Sequence, residues 1–174
     1  VPLSSADIKE AFDALSEELS SGADRAEIVV VGGAALVLLF QARETTKDVD
    51  AVFLQPNASS VRAAASRVAA RLDLPEDWLN DGAKGYLVGV TIGDVLYESP
   101  SLIARAATLG QLLAMKLSAW RDALDRDDAR LLLSRISGSA DEVWASVKPL
   151  VSPHQIDKAW YAFQDLWEEL HGSH

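Results

Sequence analysis

Asp48 and Asp50, in the stretch KDVDAVF, stand one residue apart inside what reads as a hydrophobic strand. Residues i and i+2 of a strand project to one side, so the two carboxylates face the same way while Val49, Ala51 and Phe53 turn to the core. Two like charges that close repel each other. The pair is costly unless a shared cation compensates it, and hard divalent ions take carboxylate oxygen while keeping waters and substrate phosphate. A D-x-D at the solvent edge of a strand is the bland alternative. The glycines upstream shift the balance. EIVVVGG closes a run of valines with Gly32 and Gly33, and AALVLLFQA reads as a helix that starts there. Backbone N–H groups at such a turn approach an anion closely, and the helix dipole favours negative charge at the same place. A phosphate cradle beside a metal clamp suits phosphoryl or nucleotidyl transfer. Neither the dinucleotide-binding G-x-G-x-x-G nor the P-loop G-x-x-x-x-G-K-[ST] fits these glycines, so the cradle belongs to another nucleotide fold.

The elements that must hold this site follow from periodicity. Ser4 or Ser5 can cap a helix through about Glu18, with Ile8, Phe12 and Leu15 on one face. EIVVV and KDVDAVFL are strands on either side of the glycine-initiated helix. SSVRAAASRVAARL is an alanine-rich helix opened by Ser59 or Ser60, and Pro75 to Gly85 is a polar connection with room for a short helical turn. GYLVGVTIG and DVLYES predict two strands that turn near Gly93. From Thr108 the pattern is helical to about Ile136, and further helices are expected near 140–148 and 153–170. The expected architecture is an α/β (α+β) fold, a mixed sheet flanked by helices over 1–107, with a helical C-terminal part over 108–174.

Composition narrows the chemistry. The chain has 174 residues, of which 49% are hydrophobic, and its mean hydropathy is +0.06, enough to bury a real core. It has no cysteine and three scattered histidines, so any metal is expected on oxygen ligands. No basic and then apolar leader opens the sequence, and no apolar run approaches the ~18 residues of a membrane span, which predicts a cytoplasmic protein with no membrane partner. The net charge of −10 argues against a generally basic, nucleic-acid-coating surface. The acids concentrate at the two ends, and the arginines at 62, 67, 71, 105, 121, 126, 130 and 135 can form either a local phosphate-contacting patch or ordinary solvated helix faces.

The array Gly32-Gly33, Arg43, Thr45-Thr46 and Asp48-Val49-Asp50 resembles the G-G/S … [ST]-x-D-x-D signature of the DNA polymerase β-like nucleotidyltransferase superfamily. More closely, VVGGAALVLLFQARETTKDVDAVF followed by LGQLLAMKLSAWRDALDRDDARLLL is similar to small nucleotidyltransferases related to the AbiEii-type toxins of type IV toxin–antitoxin systems, including the mycobacterial MenT type. The resemblance covers about residues 28–135. It implies a nucleotidyltransferase-like fold and transfer of a nucleoside monophosphate from an NTP to an acceptor hydroxyl, with Mg²⁺ as cofactor and Mn²⁺ as a substitute. Asp48 and Asp50 then hold the metal, and Gly32 and Gly33 seat phosphates; Arg43, just before the D-x-D strand, reads either as a triphosphate contact or as a loop arginine with no role. The implied acceptor is tRNA, with a protein hydroxyl or a small molecule as alternatives, and the implied protein partner is a cognate antitoxin. A noncatalytic antitoxin or binding protein that kept the fold is the reading without chemistry.

The second segment also reads on its own terms. Lys116 lies on the helix from Thr108 beside an apolar face formed by Leu112, Met115 and Ala119, so its stem is half-buried and its ammonium needs an anionic partner. A carboxylate or a nucleotide phosphate would serve, and the resemblance implies the phosphate. It also places Asp127 or Asp128 at the active centre, whereas the residues by themselves read as a charged helix face with i,i+4 pairing. A third metal carboxylate, usual in the superfamily, has Asp94 and Glu98 as candidates and no decisive context for either. Trp160, Phe163 and Trp167 fall at helical spacing and read as a core or docking stripe rather than a base-stacking platform.

Overall fold

The computed structural model describes residues 1–22, 24–41 and 43–172. The chain divides into two units, Val1–Gly85 with Ile92–Ala107, and Tyr86–Thr91 with Thr108–His174.

The first unit begins with a two-residue strand, β1 (Leu3–Ser4), that runs into α1 (Ser5–Glu18). Ser4 and Asp7 form a reciprocal capping box, each side chain bonded to the other's backbone N–H. The 4-and-3 spacing seen in the sequence buries Ile8, Phe12 and Leu15 completely. Then follow β2 (Ala26–Val31), α2 (Gly32–Phe40), a second two-residue strand β3 (Thr45–Thr46), β4 (Val49–Phe53), α3 (Ala58–Leu72), β5 (Leu79–Asn80), a 3₁₀ turn (Gly82–Tyr86), β6 (Val95–Glu98) and β7 (Leu102–Ala106). β5-β4-β2-β7-β6 form one mixed five-stranded sheet, and β1 pairs with β3 in a separate ribbon. β2 runs antiparallel to β4 and parallel to β7. The α/β class with a mixed sheet flanked by helices is as expected. α1 packs on α3, and two of the α3 arginines pair across that contact. Arg67 pairs with Glu18 at 2.8 Å and Arg71 with Glu17 at 2.5 Å, while Arg62 pairs with Asp81 at 2.6 Å. These three arginines serve as ion-paired helix faces.

Two strand expectations need correction. GYLVGVTIG is not a strand; Gly89 takes a left-handed φ of +72°, and Gly89 and Thr91 bond to Gln111 and Thr108, while Gly93 N donates to the Ala106 carbonyl at 2.7 Å. The hairpin is β6–β7, with its turn at Ser99–Ser101 rather than at Gly93. LIARA, which carries no predicted element, is strand β7, and its Arg105 lies 3.6 Å from Glu27 of the neighbouring β2, so the charge has a partner on the sheet.

The second unit holds α4 (Leu109–Ala119), α5 (Ala123–Ser134), α6 (Ala140–Val147) and α7 (Ile156–His171), with 3₁₀ turns at Lys148–Leu150 and Pro153–Gln155. The expected single helix to Ile136 breaks in two. Trp120 adopts φ 39° and its N–H closes α4 on the Lys116 carbonyl, while the Asp122 side chain accepts from Asp125 N and starts α5. Gln111, 1% exposed, ties the segment 86–91 to α4. Its Oε1 accepts from Thr91 N at 2.9 Å and Thr91 Oγ1 at 2.6 Å, and its Nε2 donates to the Gly89 carbonyl at 3.0 Å. Thr108 N and Oγ1 both donate to Thr91 Oγ1, each at 3.0 Å. Phe163 is buried in the aromatic stripe, with Trp144 5.4 Å and Trp167 5.8 Å away, centroid to centroid. No helix among the described residues is long and apolar enough to cross a membrane.

Candidate active site

The antiparallel register sets Val31, the last residue of β2, opposite Asp50, so the glycine turn and the D-x-D strand meet by backbone pairing. Gly32 has φ +66°, a conformation that favours glycine, and a β-carbon there would come 3.4 Å from Asp50 Oδ2. Gly33 is crowded for a different reason. A β-carbon on it would lie 2.9 Å from Arg43 Nη1 and 3.1 Å from Thr46 Oγ1. The bare backbone at the start of α2 is therefore approached by a guanidinium and a hydroxyl, and the sequence-predicted Gly32, Gly33, Arg43 and Asp50 come together at one place. A cation beside a helix N-terminus adds to the positive end of the dipole, a combination that favours an anion.

Asp48 and Asp50 are both half-buried, on either side of the fully buried Val49. Burial pushes the Asp48 carboxyl above the usual carboxylate range, the charge of Asp50 adds to this, and Asp77 contributes further against the opposing Lys47. The like-charge cost foreseen for the pair is thus present in the fold, and its donor set of carboxylate oxygens fits a hard divalent cation that keeps waters and phosphate as further ligands. Asp77 was missed because Pro75 to Gly85 reads as a polar connection. That stretch contains β5, which pairs parallel to β4 with Asn80 opposite Asp50, and the Trp78 carbonyl accepts from Val49 N at 2.7 Å. Trp78, fully buried with its indole N–H on the Ala65 carbonyl at 2.9 Å, was the available signal that the stretch is anchored. Of the two candidates for a third carboxylate, Glu98 lies away from the pair. Glu98 is on the edge strand β6, with β2 and β7 between it and β4, and pairs with Arg25 at 3.3 Å. Asp94 offers its backbone carbonyl to Ala106 N of β7 at 2.8 Å. Among the described residues, no group of three or more His, Cys, Asp or Glu side chains is placed to hold a metal ion.

In the second unit, Lys116 has its anionic partner within the protein. Its Nζ lies 2.8 Å from Asp128 Oδ2 and 3.2 Å from Asp125 Oδ1, and all three side chains are largely buried, at 12%, 6% and 3% exposure. The break at Trp120 makes this contact: residues 116 and 125 on one straight helix would be about 13.5 Å apart along the axis. Asp125 also accepts from Arg121 N at 3.0 Å and Arg121 Nε at 3.1 Å. Of the two aspartates left open by the sequence, Asp128 is the one on Lys116, while Asp127 is exposed and pairs with Arg130 at 2.8 Å. Asp125 was missed, although its i,i+3 spacing to Asp128 places both on one helix face.

Residues 7–82 match a family model described as a nucleotidyltransferase of unknown function (DUF6036). No curated protein and no solved structure matches the chain. The matched span holds Gly32, Gly33, Arg43, Asp48, Asp50 and Asp77, and it ends before Lys116, Asp127 and Asp128. It supports a nucleotidyltransferase-like family, and the mixed sheet with its flanking helices is consistent with that fold.

Asp125 also sets a pH dependence. Burial opposes its ionisation, but the hydrogen bonds from Arg121 and the charge and hydrogen bond of Lys116 outweigh it and hold the carboxyl below the usual range. The folded protein then binds fewer protons here than the unfolded chain, so the stabilisation is present above the ordinary carboxylate pKa and is lost as pH falls through the folded value. Asp125→Asn is expected to cost about 2–4 kcal/mol at neutral pH. Urea unfolding of both proteins should show the gap narrowing on acidification, and a gap unchanged with pH would contradict the assignment.

Proposed function

We propose that the first unit binds a nucleoside triphosphate and transfers its nucleoside monophosphate to an acceptor hydroxyl. The observation that carries this reading is Asp50 against the Gly32–Gly33 turn, with Arg43 beside Gly33 and Asp48 electrostatically coupled to Asp50. In the step itself, the acceptor oxygen forms a bond to the α-phosphorus and the bond to the bridging oxygen breaks. Pyrophosphate leaves, and the hydroxyl proton passes to water. Asp48 and Asp50 hold the divalent cation, Mg²⁺ or Mn²⁺, which when bound supplies Lewis-acid polarisation of the phosphate and activation of the hydroxyl. The α2 N-terminus and the Gly32–Gly33 backbone receive phosphate oxygens, and Arg43 offers a fork of donors suited to them. Lys116, Asp127 and Asp128 are given no step, since Lys116 is held by buried carboxylates of its own unit.

The proposed acceptor is tRNA, and the proposed role is that of a type IV toxin with a cognate antitoxin. This finer reading is supported by the likeness of residues 28–135 to the AbiEii and MenT type. The experiment is incubation with each labelled NTP, Mg²⁺ and either total tRNA or cell lysate. Label on RNA is expected. Label on a protein or a small molecule would replace the acceptor and keep the chemistry. No label with any NTP, together with no Mg²⁺-dependent thermal stabilisation by NTPs, would replace it with a noncatalytic binding role.

A further inference from the structure

The two-residue strand β3 supplies a group that the proposed chemistry does not use. Thr46 is 9% exposed, where a valine would fill the same space and suit a strand as well. A buried hydroxyl is unfavourable unless it is bonded, and this one has a specific task. Thr46 Oγ1 donates to the Asp48 carbonyl at 3.2 Å, and the same oxygen would lie 3.1 Å from a β-carbon on Gly33. One hydroxyl thus touches the backbone that carries the first carboxylate and packs against the backbone of the glycine turn. Its own position is fixed from behind, because Thr46 pairs with Leu3 of β1 and Leu3 is buried in the core at 3% exposure. Carboxylates and phosphate seat need to keep their separation within about 0.5 Å for productive geometry.

We propose that Thr46 is a positioning residue that sets the spacing between the Gly33 backbone and Asp48. It acts through its hydroxyl and is held to the core by the β1–β3 ribbon. Its effect on nucleotide rests on the proposed function; its effect on the backbone does not.

The test compares Thr46→Val, which keeps the branched shape and removes the hydroxyl, with Thr46→Ser, which keeps the hydroxyl. In the ¹⁵N amide spectra, Gly33 and Asp48 should shift in Thr46→Val and stay near wild type in Thr46→Ser. Half-saturation by Mg²⁺·ATP in a thermal-shift titration should rise about tenfold in Thr46→Val, the size of one lost hydrogen bond, and be largely restored in Thr46→Ser. If Thr46→Val fails to fold, Thr46→Ala makes the same comparison without a methyl in the place of the hydroxyl. Spectra of the hydroxyl-free variant that overlay the wild type at Gly33 and Asp48 would overturn the proposal. Equal displacement in Thr46→Ser would overturn it too, because the hydroxyl would then not be the agent. Displaced amides with no Mg²⁺·ATP binding even by the wild type would leave the positioning role standing and remove the nucleotide reading instead.

Discussion

Asp48→Asn is expected to lower nucleotidyl transfer by about 10²–10³-fold, the scale on which removal of one transition-state charge stabiliser acts, while leaving the protein folded. Asp50→Asn should match it in activity. The stability readout separates a cation site from a structural carboxylate. Because burial and Asp50 raise the folded-state pKa of Asp48, the folded protein binds more protons here than the unfolded chain between the ordinary carboxylate pKa and the raised value. Rising pH through that window costs stability. Asparagine removes the cost, so in metal-free buffer Asp48→Asn should melt at or above the wild-type temperature at neutral pH, with the advantage disappearing in acid. Mg²⁺ should stabilise the wild type and not the variant. A variant that unfolds, or one that keeps most of its activity, would show that the pair is structural.

Lys116→Met should have the largest effect on stability, a loss of about 3–5 kcal/mol in denaturant unfolding. Methionine keeps the apolar stem, and a lysine reaching solvent or an external phosphate would be replaced at almost no cost. Here the ammonium sits between Asp125 and Asp128, both largely buried, so its removal leaves two carboxylates short of a counter-charge. Asp128 is the carboxylate nearer the ammonium, at 2.8 Å against 3.2 Å for Asp125. Adding Asp128→Asn to Lys116→Met should therefore recover part of the stability, and the double-mutant cycle measures how strongly the two are coupled. A near-neutral Lys116→Met would refute the buried cluster and return the lysine to the role expected from the resemblance.

The parts of the fold legible in the sequence are those where one local signal dominates. The 3.6-residue spacing of Ile8, Phe12 and Leu15, the valine run into Gly32 and the alternation around Asp48 and Asp50 each map directly onto an element. The misread parts depend on partners distant in the chain. Residues 102–106 receive no element until their pairing with β2 is seen, and Tyr86–Thr91 looks like a strand until Gln111 takes its hydrogen bonds. For the same reason the sequence could say that Lys116 needs an anion but not which one. The choice turns on the left-handed residue Trp120, and nothing in the local pattern marks a tryptophan for that conformation.

The Gln111 clamp also limits how the C-terminal helices can be separated from the rest of the chain. A fragment cut at 107/108 carries Gln111 but not Thr91 or Gly89, and so starts with a core amide that has lost its bonding partners on the 86–91 segment. Those six residues stand to the helices as a peptide ligand stands to its receptor, tethered at both ends to the other unit. The helices are therefore not a modular cassette. A chimera that exchanges them with those of a relative has to bring its own version of residues 86–91, although that segment lies seventeen positions upstream of the apparent junction.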